Sequence, residues 1–234
     1  MDFAKALTYP FEDQDWLKKL IFLLIAGFIP IIGNPIAVHG WAVETARNVR
    51  AGQQHPMASW DDIGGVLGRG VPLFLAQLVY FLPVLLLYCI GFGATAAVGS
   101  AAAGVSSNSN GGGAGGGLAG LASMIVPCCV CIALLYSIAA GVVYLGGYVR
   151  FLDKPEFGTF MQFGDNFALV QANGGDFGMA VLYVIGAGLI AGVVSSITFG
   201  IGGLLATPFI TYFASHIIGQ LAIKLRGASP APQM

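Results

Sequence analysis

The sequence predicts an all-α fold, a polytopic transmembrane helical bundle of about six membrane helices, on three observations. Hydrophobic residues make up 56% of the 234 and charged residues only 9%, against roughly 25% charged in an average soluble domain. Apolar stretches of bilayer-spanning length recur along the chain. The basic residues Lys5, Lys18, Lys19, Arg47, Arg50, Arg69, Arg150, Lys154, Lys224 and Arg226 all lie near an end of an apolar stretch or in a polar segment joining two of them. The acidic residues follow the same pattern, so all charge can be placed on one side of a membrane. By the positive-inside rule that side is cytoplasmic. This composition excludes a soluble globular fold, and a net charge of -1 implies no nucleic-acid partner.

The chain reads as a single membrane domain over 1–234 with both termini cytoplasmic. Residues 1–15 form an interfacial amino-terminal segment. They lack the basic region and small-residue cleavage site of a signal peptide, and carry Glu12, Asp13 and Asp15 before the first apolar run. Residues 16–50 read as a short helical hairpin. Pro30, Gly33, Asn34 and Pro35 divide it into two arms of about 15 residues, marginal for a full crossing at 1.5 Å rise per residue. Crossing and re-entrant geometries both return Arg47 and Arg50 to the cytoplasm.

Four full spans follow, at 71–93, 118–149, 177–199 and 204–225. The Gly/Ser-rich run over 100–117 is expected to be a flexible outer loop, and Gly200 to Gly203 a tight outer turn. The run lacks the Lys-Ser/Thr pair of a phosphate-binding loop. Residues 227–234 are expected to form a disordered tail. Over 155–175 the 3.6-residue period places Phe157, Phe160, Met161, Phe163 and Phe167 on one side and Thr159, Gln162, Asn166 and Asn173 on the other, an amphipathic cytoplasmic segment. Trp16, Trp60, Phe157, Phe160 and Phe167 are the candidate anchors in the headgroup layer, and packing under the bundle is the alternative.

A weak internal repeat relates Val49-Arg50, Pro56 and Trp60-Asp61-Asp62 to Val149-Arg150, Pro155, Phe160 and Asp165. In each copy an inward helix ends in Arg, a segment starting at Pro follows, and an outward helix comes next. The two copies run in parallel, as in some transporters and in membrane scaffolds alike.

Polar groups inside a bilayer are costly, so each is a candidate for function. They are Glu44, Arg47, His39, Gln77 and His216. Arg47, one turn after Glu44, is expected to neutralise it within the helix, with a proton-carrying Glu44 as the alternative. His39 and His216 lack partners at metal-ligand spacing, and a buried imidazole held by a backbone carbonyl is the expected state. Gln77 is expected to hydrogen-bond across helices. Cys89, Cys128, Cys129 and Cys131 lie in apolar helices, where a thiol behaves as a small apolar residue. A thiolate site joining Cys128 and Cys131 to Cys89 is the less favoured reading. No catalytic residue, metal site or cofactor is expected.

The opening TYPFEDQDWLKKL, the IPIIGNP turn, the helix end GWAVETARNVRAG, and Pro56 followed by SWDDIGGVLGRG resemble the prokaryotic membrane family known as domain of unknown function 4013. The resemblance covers most of the chain and is weaker in the carboxy-terminal half, and the Gly-rich outer loop looks like an insertion. It implies a polytopic protein of a prokaryotic cytoplasmic (inner) membrane, with no activity or catalytic residues to carry over.

Three function classes follow. A noncatalytic scaffold or subunit associating with the lipid bilayer and with other membrane proteins, or as a homo-oligomer, fits the uncharged spans best. A transporter or channel for a neutral or apolar small solute is the alternative, suggested by the repeat and the proline-broken helices. An intramembrane enzyme requires a nucleophile and base, or a metal cluster, and the sequence assembles neither.

Overall fold

The computed structural model describes residues 1–30, 32–106, 114–199 and 201–228, and among them every regular element is helical. Helix α1 (Phe3–Thr8) and a 3₁₀ turn (Tyr9–Glu12) lead into α2 (Trp16–Phe28). A π-helical turn (Gly33–Val38) continues as α3 (His39–Arg50). Then come α4 (Ile63–Ser106), α5 (Ala114–Asp153), the short α6 (Phe157–Met161) and α7 (Phe163–Ala172), α8 (Gly174–Ile197) and α9 (Ile201–Ala228).

Among the described residues four helices are long and apolar enough to cross a membrane: Ile63–Gly93, Val126–Asp153, Gly174–Ile197 and Gly202–Arg226. The arms of the 16–50 hairpin do not reach that standard. Helix α2 has 13 residues, about 20 Å at 1.5 Å per residue, against a hydrocarbon core of about 30 Å. The hairpin turns where Pro30 and Pro35 withhold two backbone donors, and i→i+5 bonds from Asn34 to Ile29 and from Ala37 to Ile32 carry the chain round. Gly33 is required there, because a Cβ would lie 2.0 Å from the Ala26 carbonyl oxygen.

By compactness the chain divides into two units, Met1–Ala76 with Val143–Met234, and Gln77–Val142. In the first, α9 is the central element and packs against α1, α2, α3 and α8. Its buried Phe213, Ile217 and Leu221 form one stripe at helical spacing. Helix α3 has no exposed residue, although it carries Glu44, Arg47, Asn48 and Arg50. It meets α4 where Gly40 and Gly70 face each other's helices. A Cβ on Gly40 would lie 1.8 Å from the Val66 carbonyl oxygen, and one on Gly70 would lie 1.9 Å from that of Ile36.

The second unit is the α4–α5 pair. Tyr136 donates from α5 to the Tyr80 carbonyl of α4 at 3.1 Å, while Leu82, Leu85, Leu86, Ile90, Leu134 and Leu135 are all more than half exposed.

Three boundaries differ from the sequence reading. Helix α4 persists to Ser106 and α5 begins at Ala114, so much of the loop expected over 100–117 is helical, as its alanines favour. The remainder, 107–113, lies outside the described residues, as does the tail from 229. The turn between α8 and α9 falls at Thr198 and Phe199, where Phe199 takes φ 52° and is almost wholly exposed, and Gly202 and Gly203 already belong to α9. Lastly, the segment over 155–175 is not one amphipathic helix. Gln162, at φ -81° and ψ 63°, breaks it into α6 and α7.

Candidate functional site

The polar chemistry of the first unit gathers where α3, α5 and α9 end. Asp153, closing α5, accepts Arg50 of α3 at 2.9 Å and also pairs with Arg226 of α9. Lys224 pairs with Asp176 at the start of α8. One carboxylate thus ties three helix ends together, which only convergent ends allow.

Two aromatic clusters belong to the same unit. In the first, Trp41 is fully buried. Its Nε1 donates to the Ala58 carbonyl at 3.0 Å, and Thr45 Oγ1 accepts the Ala58 N–H at 3.1 Å, folding the 51–62 segment back onto α3. Trp60 then stacks on Trp41 with ring centroids 6.4 Å apart, and its Nε1 donates to the Lys19 carbonyl of α2 at 3.1 Å. In the second cluster, Phe160 is fully buried between Tyr144 at 5.2 Å and Phe151 at 5.3 Å.

Asn166 explains the second cluster. It is completely buried; Nδ2 donates to the carbonyls of Thr159 (3.1 Å) and Phe160 (3.2 Å), while Oδ1 accepts Arg150 at 2.7 Å. Arg150 also reaches Gln162 at 2.6 Å and Asp165 at 3.3 Å. Thr159 and Asn166, two of the four residues on the side expected to be polar, therefore face inward, while Gln162 is exposed. Phe160 cannot serve as an interface anchor, because Asn166 draws its backbone under α5. Phe157, Phe163 and Phe167 remain exposed, and Trp16 is half-buried with Phe11 edge-on at 5.0 Å.

The intramembrane polar candidates do not converge on one site. Glu44 pairs with Arg69 of α4 at 3.3 Å instead of with Arg47 of its own helix, because α3 and α4 touch through glycine and bring the two side chains together. Arg47 lies 5.6 Å over the Phe151 ring and donates to the Phe151 carbonyl at 3.4 Å. His39 Nδ1 meets the Asn34 carbonyl at 3.2 Å, the backbone-satisfied state anticipated for it. His216 differs: its Nδ1 meets the Gln220 side chain at 2.8 Å and its ring stacks on Tyr9 at 4.4 Å. Gln77 is half-buried on α4.

Sequence reasoning missed Asp13. It is buried, takes the Lys19 ammonium at 2.6 Å and accepts the Asp15 N–H at 2.9 Å, while Lys19 also donates to the Met57 carbonyl at 3.0 Å. Burial pushes the Asp13 carboxyl up, but the hydrogen bonds from Lys19 and Asp15 and the Lys19 charge outweigh it and hold the group below its ordinary value.

All four cysteines are free thiols, three of them exposed. Among the described residues no three His, Cys, Asp or Glu side chains come close enough to hold a metal ion. Cys129 lines an apolar cavity of about 100 Å³ between α4 and α5, with Leu87, Tyr88, Phe92, Val126 and Val130.

Several helices long and apolar enough to cross a bilayer, with most of the charge near helix ends and in joining segments, define a polytopic helical membrane protein. Residues 21–200 match the model of the family described as Protein of unknown function (DUF4013), and the chain belongs to that family. No curated protein matches it, and no solved structure does.

Proposed function

We propose that the protein is a noncatalytic scaffold or subunit of the prokaryotic cytoplasmic membrane that associates with other membrane proteins. The observation that carries this reading is the use of its charged groups. Arg47, Arg50, Arg69, Arg150 and Arg226 are each spent on a neighbouring helix end, carbonyl or ring of the same chain. The spans outside this layer present apolar surface, which serves packing against lipid and other helices in place of ligand capture.

In this reading all six segments enter the bilayer, α2 and the π-turn–α3 arm as a short hairpin, with the charged ends and both termini cytoplasmic. The outward apolar stripe of Leu17, Ile21, Ile25 and Phe28 on α2 supports its contact with lipid. The parallel repeat gains support from the matching roles of Trp60 and Phe160, each tucked back against aromatic residues of the helix that carries Arg50 or Arg150 at or near its end. Phe157, Phe163 and Phe167 then rest in the headgroup layer.

The test is crosslinking and mild-detergent copurification from the native membrane, followed by mass spectrometry. A protein partner retained in constant stoichiometry is the expected result. Recovery of the protein alone contradicts the subunit reading and favours transport of a neutral or apolar solute, to be measured as flux in reconstituted vesicles.

A further inference from the structure

We propose that the cavity at the start of α2 binds the headgroup of a phospholipid ending in a primary ammonium, with an acyl chain laid along one face of that helix. The cavity holds about 50 Å³ and is lined by Asp15, Lys18, Phe22, Ser59, Trp60 and Asp61. A single water needs about 10–15 Å³ by the same measure, so the space suits a phosphate-sized group.

Its walls carry uncommitted charge of both signs. Lys19, which also lines it, is already held by Asp13 and Met57. Lys18 is exposed and among the described residues has no carboxylate partner. Asp15 stands at the N-cap of α2 without a side-chain bond to the helix. Among the described residues Asp61 has no cationic partner and accepts the Ser59 hydroxyl at 2.5 Å.

One free ammonium beside two carboxylates disfavours a headgroup of net negative charge. A zwitterionic headgroup satisfies both signs, its phosphodiester on Lys18 and its cation on Asp61 and Asp15. A primary ammonium donates hydrogen bonds to those carboxylates, whereas a trimethylammonium has no N–H to give.

The helix supplies the rest of the lipid's path. Lys18, Phe22 and Ile25 follow one another at helical spacing, the two apolar members being 43% and 52% exposed, and Ile29, 48% exposed, follows just past the helix end. Phe22 and Trp60 both line the cavity, with ring centroids 6.4 Å apart, so the polar site carries an aromatic edge of the kind found at bilayer interfaces. The proposal rests on α2 lying in the bilayer and is independent of any protein partner.

The test uses the delipidated full-length protein in detergent, titrated with phosphatidylethanolamine, phosphatidylcholine or phosphatidylglycerol of matched chains and followed by thermal unfolding. The ethanolamine lipid is expected to raise the unfolding temperature at the lowest concentration. Lys18→Gln and Asp61→Asn should each weaken that response about tenfold, while leaving the lipid-free unfolding temperature unchanged because both side chains are exposed. Equal responses to the three lipids, or variants that keep the full ethanolamine response, would overturn the headgroup assignment. Soluble phosphoethanolamine competing as well as the lipid would overturn the acyl track. No stabilisation by any lipid would contradict the placement of α2 in the bilayer.

Discussion

Helices α5 and α9 are both long enough to cross a membrane, yet they are built in opposite ways. The apolar window of α5 has a mean hydropathy of 2.3 with 11% of it buried, whereas that of α9 has 1.2 with 44% buried. In a water-soluble protein the more apolar helix is the more buried one. Here the order is reversed, because lipid accepts leucine as readily as a core does, while the Gln220, His216 and Ser215 side chains of α9 need partners from the chain itself. Between these two helices the less apolar one is the more buried, and apolar character alone does not mark the inside.

The largest predicted contrast is between Trp41 and Leu135. Trp41→Ala empties the centre of the first aromatic cluster and leaves the Ala58 carbonyl without its donor, so a loss of about 3–5 kcal/mol is expected. Leu135 is 70% exposed, and its change to Ala should stay within about 0.5 kcal/mol. Thermal unfolding of both in one detergent checks the pair.

Glycines sharpen the comparison at the next level. Gly70→Ala forces a Cβ against the Ile36 carbonyl and should cost about 1–3 kcal/mol. Gly93→Ala on the α4–α5 pair meets open space, and its higher helix propensity should raise stability by about 0.5–1 kcal/mol.

Acid should act on the first unit through Asp13. Its folded pKa lies below the ordinary aspartate value, so the stabilisation is fully present above the unfolded value and is lost as the pH falls through the folded one. Asp13→Asn should therefore be less stable than the native chain by about 1–3 kcal/mol at neutral pH, with the gap closing below about 3.8. Unfolding curves from pH 7 to 3 measure it, and a gap that persists in acid contradicts the ion-pair explanation.

Among the polar groups the smallest effect is expected at Glu44. Both partners of the Glu44–Arg69 pair are partly exposed, at 32% and 27%, and Arg69 retains Asp62 at 4.0 Å. Glu44→Gln should fold normally, with a loss below about 1 kcal/mol. Trp60→Ala, by contrast, should disturb packing, since its indole is committed to Trp41 and Lys19.

The long spans were legible from apolar length alone, and the convergence of charged helix ends from their positions. Pairing was not. Glu44 and Arg47 stand at favourable spacing on one helix, and nothing local reveals that Gly40 and Gly70 bring Arg69 closer. The α6–α7 segment misled for a related reason: periodicity separates a polar from an apolar side but does not say which one faces the protein. Asn166 inverts that choice by offering both a donor and an acceptor to groups that must be satisfied once buried. Phe160 follows it inward, and Asp13 stayed hidden because its partners at Lys19 and Met57 are set by the fold.

The most direct test of the subunit reading is photocrosslinking in the native membrane from reactive side chains placed at Leu86 and Leu135, the exposed faces of α4 and α5. A discrete protein adduct of constant mass is predicted. Adducts with lipid alone at both positions would contradict it and leave these faces as lipid-facing surface only.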